Sequence, residues 1–225
     1  MPSLQARFAA ALIALCAALG VMAGFWAVHG RTGSVPGAIW IMLAYFTNLT
    51  GLVVTGLFAW LALGGALFAD RRRGSWLVAG TALATLLVGL VQRLLLQGLR
   101  IQQGGDLVAD ILLHQVVPVL VPLFWLAFVP KGYLLRRDPL LWACYPLVYL
   151  ACALMRGVRE GHYPYPFLDI GTIGGVAVLA YTAAITAAFL TVGWGIVALD
   201  GGSPGAGPLE RLRFDDPLCN PFPPW

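Results

Sequence analysis

Residues 107–129 read LVADILLHQVVPVLVPLFWLAFV, and three polar side chains, Asp110, His114 and Gln115, stand in a run that is otherwise apolar. At about 1.5 Å per residue a helix of this length reaches about 34 Å, enough to cross the ~30 Å hydrocarbon core of a bilayer. The length points to a membrane span, and an intramembrane carboxylate with an imidazole points to more than an anchor.

Working outward, further apolar runs lie at 8–28, 38–68, 76–99, 139–155 and 173–199, six in all with the first. The 225-residue chain is 60% hydrophobic and 11% charged, with a mean hydropathy of +0.82, which excludes a water-soluble fold. The sequence therefore predicts an all-α polytopic membrane protein: a domain of six transmembrane helices over 1–200, then a Gly/Pro-rich cytoplasmic tail, 201–225, expected to be poorly ordered. The run at 8–28 is read as an uncleaved anchor, because it is longer than a typical signal-peptide core, and Leu15 is too bulky for lipoprotein processing at Cys16.

A net charge of +4 and a pI near 9.1 raise the question of an acidic partner. Every basic residue except Arg93 falls at a helix end, in a loop or in a tail, so the charge speaks of topology and not of nucleic acid. With six crossings, Arg7, Arg71, Arg72, Arg73, Lys131, Arg136, Arg137, Arg211 and Arg213 lie on the side of the termini. Arg31, Arg100, Arg156 and Arg159 lie opposite, and the excess predicts that both termini are cytoplasmic. Cys16, Cys144 and Cys152 sit in apolar runs and Cys219 in the tail, which is no disulfide framework. No signal for an oligomeric state is present.

The polar residues inside the runs converge on one level. Thr47 lies about nine residues in from the outer end of the second run and His114 about seven in from that of the fourth, so their depths differ by only a few Å. The third run goes the opposite way and ends with Gln92, Arg93 and Gln97. Asp110 and His114, four apart, share a helix face, so the carboxylate can orient the imidazole. Pro118 cannot donate to the carbonyl of His114, which predicts a kink there. Arg93, Gln97 and Arg100 form a stripe suited to a carboxylate or phosphate head group.

Each feature has a plainer reading. The stripe Thr47, Thr50, Gly51, Thr55 also suits close helix packing, with threonine hydroxyls bonded back to their own helix. Arg93 also suits an ion pair with Asp110 or an outward snorkel. The segment Tyr163-Pro164-Tyr165-Pro166-Phe167 reads either as an interfacial aromatic belt or as a semi-rigid lid.

A hydroxyl with an imidazole is the minimum set for nucleophilic acyl transfer, and Thr47 with His114 supplies it. No serine stands in G-x-S-x-G. A second intramembrane histidine for haem, a ligand cluster for zinc and a P-loop are all missing from the sequence, so no cofactor and no metal is expected.

Three segments together carry a resemblance: Tyr45-Phe46-Thr47-Asn48-Leu49-Thr50; His114 followed by Pro118; and Arg156-Gly157 with Gly161-His162-Tyr163-Pro164-Tyr165-Pro166-Phe167. Over approximately residues 5–200 the chain resembles the bacterial branch of the androgen-induced membrane-protein family. That resemblance implies a six-helix protein of the bacterial inner (plasma) membrane. It also implies an intramembrane threonine hydrolase of fatty acid esters of hydroxy fatty acids or similar acyl esters, with Thr47 as nucleophile and His114 as base.

The expectation, then, is a lipid-ester hydrolase in which Asp110 orients His114 and Arg93 or Arg100 holds the substrate's carboxylate or head group. Asn48, Arg93 or a kinked segment stabilises the oxyanion, and Gln97, Arg156, Tyr163 and Tyr165 line or cover the pocket. The alternative is a non-catalytic lipid-binding or transport protein using the same polar layer, or a structural membrane subunit whose polar residues pair internally. A shared catalytic pair does not by itself establish a shared substrate.

Overall fold

The computed structural model describes residues 3–65, 67–98 and 102–201. Arg100 and the tail from residue 202, with Arg211, Arg213 and Cys219, lie outside the described residues.

Among the described residues there is no strand. Helix α1, Leu4–Thr32, starts where Ser3 Oγ accepts from the Ala6 N–H at 3.2 Å, and ends at Gly33 in the left-handed conformation, φ 65°. Helix α2, Val35–Met42, is capped by Ser34, with Pro36 in its first turn. Helix α3, Phe46–Ala62, follows at an angle of 96°. Helix α4, Arg71–Val91, begins on an Asp70 cap and runs into a π-turn, Gln92–Leu96. Helix α5, Gly104–Ile111, continues through a second π-turn, Leu112–Val116, into α6, Val117–Phe128. Helix α7, Asp138–Glu160, the short α8, Ile170–Ile173, and α9, Gly175–Gly201, complete the order.

Five helical spans are long and apolar enough to cross a membrane, and six if α2 and α3 count as one broken span. The chain is thus an all-α polytopic protein. The expectation of one continuous helix over 38–68 is corrected: the chain breaks at Leu43–Tyr45, immediately before Thr47. No Gly or Pro makes this break. It persists because side chains replace the lost helical bonds: Asn48 Nδ2 donates to the Met42 carbonyl at 3.0 Å and Tyr149 Oη to the Ala44 carbonyl at 2.7 Å. Neither donor announces that role in the sequence.

Helix α4 is the central element, with 61% of its apolar window buried, against 11% for α9 at the periphery. Ala6, Ala10, Ile13, Ala17 and Gly20 give α1 a small-residue face, onto which α3 packs Val54, Phe58 and Leu61. The outward faces stay apolar, as Phe8, Leu12, Leu15, Leu19, Met22 and Trp26 of α1 show, in keeping with lipid as their solvent.

The two ends of the bundle differ. At one end Arg7 Nε donates to the Ala62 carbonyl at 2.9 Å. There Arg72 also makes a bidentate pair, 2.8 and 2.6 Å, with the fully buried Asp138. Asp200, expected just beyond the sixth helix, is instead a buried residue of α9 whose Oδ2 accepts the N–H groups of Tyr133 and Leu134, each at 2.8 Å. Gly201 likewise closes α9, so the helix outruns the expected boundary. The opposite end, where α1, α4 and α7 finish and α5 starts, holds the polar layer.

Candidate active site

Thr47 and His114 meet. Thr47 Oγ1 lies 3.1 Å from His114 Nε2, although 67 residues separate them in the chain. Asp110 Oδ1 lies 3.0 Å from His114 Nδ1, and Gln92 Nε2 donates to the same carboxylate oxygen at 2.8 Å. The carboxylate approaches obliquely to the ring N–H, so the contact is an ion-pair distance without an aligned hydrogen bond. With a carboxylate at Nδ1, the proton belongs on Nδ1 and leaves Nε2 as an acceptor for the threonine hydroxyl; this tautomer is assigned from the network.

The backbone explains how these groups come together. His114 is the middle residue of the second π-turn, and Val117 N–H reaches back to the Leu112 carbonyl. Pro118 removes a donor here, as the sequence suggests, and the helix answers by widening one turn instead of kinking sharply. Leu113 fixes the rotation: its side chain fills the space where Gly20 of α1 and Gly51 of α3 lack a Cβ, which would stand 2.7 and 3.3 Å from Leu113 atoms. Gly89 of α4 serves similarly, since a Cβ there would come within 3.2 Å of the His114 carbonyl. The close-packing reading therefore holds for Gly51. It holds also for Thr55, whose hydroxyl donates to the Gly51 carbonyl at 2.8 Å, whereas Thr50 Oγ1 lies 3.1 Å from Tyr145 Oη.

Thr47 is the second residue of α3, at the helix N-terminus and not deep within a span. The N–H groups of Phe46 and Thr47 are consequently not used within the helix, whereas those of Asn48 and Leu49 donate to the Tyr45 carbonyl. The Thr47 side chain and the N–H groups of Phe46 and Thr47 lie near the hydroxyl of Tyr165, and the Phe46 N–H lies near that of Tyr149 as well. Tyr165 is 8% exposed, and burial raises its phenol above the ordinary tyrosine value, keeping it protonated at neutral pH. Its ring stacks on Phe167 at 5.2 Å and meets Tyr45 edge-on at 5.7 Å. The Tyr-Pro segment is therefore packed into the site, and Tyr165 is no belt residue.

Two cavities meet at this point, and Thr47, His114 and Tyr165 line both. One is an apolar slot of about 90 Å³ between α4, α7 and α9, lined by Leu87, Val91, Leu147, Leu150, Ile185 and Phe189 among others. The other is a polar vestibule of about 460 Å³ that includes Arg31, Asn48, Gln92, Gln102, Asp106 and Asp110.

Several expected site residues stand elsewhere. Arg93 and Gln97 are exposed and line neither cavity; the widened turn presents Gln92 inward in their place. Arg93 does not pair with Asp110 either. Arg156 clamps α7 to α2: it pairs with Glu160 at 2.9 Å, donates to the Trp40 carbonyl at 2.7 Å and lies 4.3 Å above the Trp40 ring. Tyr163 covers Gly157, where a Cβ would meet its ring at 2.2 Å. Asn48 lines the vestibule, but its amide is committed to Met42. The sequence reading missed Gln92 as a partner of Asp110, and Arg31 with Asp106, whose spacing of 75 residues carries no local signal.

Among the described residues no group of three or more His, Cys, Asp or Glu could hold a metal ion. What the arrangement offers is a hydroxyl against one imidazole nitrogen and a carboxylate near the other, beside two N–H groups at a helix N-terminus. Comparisons with family models, with curated proteins and with solved structures gave no match.

Proposed function

We propose that the protein is an intramembrane lipid-ester hydrolase that works through an acyl-threonine intermediate. The observation that carries this reading is the 3.1 Å approach of Thr47 Oγ1 to His114 Nε2 at the junction of an apolar and a polar cavity. A threonine held only for packing bonds its own helix, as Thr55 and Thr81 do here.

In the proposed reaction Thr47 Oγ1 attacks the ester carbonyl carbon as His114 Nε2 takes its proton. Negative charge develops on the carbonyl oxygen, which meets the N–H groups of Phe46 and Thr47 and the hydroxyl of Tyr165. Collapse breaks the ester C–O bond, and His114 returns the proton to the departing alcohol. A water from the vestibule then attacks the acyl-threonine, giving a proton to His114, which passes it to Thr47 Oγ1 as the acyl C–Oγ1 bond breaks and the carboxylic acid leaves. Asp110 favours the imidazolium formed in both halves, and Gln92 holds Asp110 in place. The resemblance to the androgen-induced membrane-protein family supports the same pair of residues. The lysine and arginine excess at the far end of the bundle supports a topology in which the site faces the extracytoplasmic leaflet of a bacterial inner membrane.

The test is labelling of the purified protein in detergent by a fluorophosphonate probe. Native protein should label, and Thr47→Ala and His114→Ala, both folded by thermal shift, should not. A well-folded native protein that does not label, with a Thr47→Val protein that keeps its cellular function, would favour the lipid-binding alternative instead.

A further inference from the structure

Resting on the hydrolase reading, the two cavities differ enough to say which half of an ester each would take. The apolar slot runs beside α7 from Ala143 to Leu150, about 10 Å of helix at ~1.5 Å per residue. Leu147, 46% exposed, stands at its margin, so the slot reaches the lipid-facing surface. A hydrocarbon chain can slide in from the bilayer and continue out past Leu147, which suits an acyl chain of ordinary membrane length.

The vestibule suits a second chain less well than the slot does. Among apolar neighbours such as Val28, Ile41, Met42 and Leu113 it carries the amide, phenol and carboxylate groups of Asn48, Gln92, Gln102, Tyr45 and Asp110, whose remaining polar surface would lose water if covered by hydrocarbon. Its described charges also disfavour an anion: among the described residues Arg31 is the one cation lining it, held by Asp106 through two contacts, 2.5 and 3.2 Å, and Asp110 adds a negative charge. Arg93, the expected clamp for a carboxylate, points away.

We infer that the substrate is a single-chain acyl ester whose alcohol is small, uncharged and rich in hydroxyl groups, of the monoacylglycerol type, and not an ester of a hydroxy fatty acid. The acyl chain lies in the slot, the acyl group passes to Thr47, and the alcohol leaves into the vestibule carrying the proton from His114.

Three oleoyl esters separate the possibilities on the full chain in detergent micelles: 1-monooleoylglycerol, the oleoyl ester of 12-hydroxystearate, and oleyl oleate. The polyol ester should show a kcat/KM at least 10-fold above the other two. Asp106→Ala, which frees Arg31, should raise kcat/KM for the anionic hydroxystearate ester at least 5-fold relative to native protein. Equal or faster cleavage of the hydroxystearate ester or of oleyl oleate overturns the inference. If fluorophosphonate labels Thr47 in the same preparation, only the substrate class falls; if labelling and all turnover are absent, the hydrolase reading falls with it.

Discussion

Replacing Asp110 with Asn tests whether His114 acts as a base or merely fills space. The side chain keeps its size and Gln92 keeps an oxygen to bond, so the geometry survives while the charge is removed. Asp110 Oδ1 stands 3.0 Å from His114 Nδ1, and both side chains are largely buried, 15% and 18% exposed. At that distance an imidazolium and a carboxylate attract by about 5 kcal/mol at an effective dielectric of about 20, and by about half that at 40. Only the protonated imidazole feels this attraction, and it forms only as the proton leaves Thr47. The loss therefore falls on the barrier: about 1.4 kcal/mol per decade converts it to a drop in kcat of about 10² to 10⁴-fold. KM for the ester should hardly move. The assay is steady-state hydrolysis of a monoacyl ester by purified protein, with thermal shift confirming the fold. A kcat within threefold of native would refute the reasoning, since the carboxylate would then be doing nothing for the charge on His114.

Tyr165→Phe keeps the ring stacked on Phe167 and removes the hydroxyl, so kcat should fall about 10²-fold with KM unchanged, read in the same assay. Leu113→Ala empties the space shared with Gly20 and Gly51; it should cost about 2–5 kcal/mol, seen as a lower Tm in detergent, and let His114 rotate away from Thr47. Arg72→Met strands the fully buried Asp138 and should cost about 3 kcal/mol, whereas adding Asp138→Leu should recover much of the Tm. Asn48→Ala removes one of the two donors on the Met42 carbonyl at the break, the other being the Tyr45 N–H at 3.1 Å, and both Tm and kcat should fall, the second by at least 10-fold.

How far the sequence carries can be judged residue by residue. The length of each apolar run makes a membrane span nearly unavoidable, and the pairing of Asp110 with His114 follows from helical spacing alone. The count that put Thr47 at their level assumed one continuous helix from Ala38, a premise the 96° break removes, although Thr47 does meet His114. The break before Thr47 was not legible, because no Gly or Pro marks it and its supports, Asn48 and Tyr149, lie on other turns and another helix. The N–H groups proposed to meet the oxyanion were hidden for the same reason: N–H groups spent inside a continuous helix are free at the start of a new one. Arg93 and Gln92 exchanged places because an α-helical count fails where a turn is π-helical. Tyr165 was expected to line or cover the site, and which of the two it does is decided only by the packing of three aromatic rings around it.

The second π-turn has a consequence for how this chain tolerates length changes. Such a turn holds one residue more than the α-helical ladder requires, and each residue of an α-helix accounts for about 100° of rotation. Deleting one residue between Leu112 and Val116 would let α5 and α6 join as one unbroken helix, with local backbone bonding improved. Because the wide turn spans in five residues what an α-helix spans in four, α5 and α6 would keep their phase, and the cost would fall inside the turn, where His114 would lose the position that faces both Thr47 and Asp110. Local regularity and a working arrangement are thus opposed at this one turn, and a single-codon deletion there should yield a helix that is better formed and a protein that is inert.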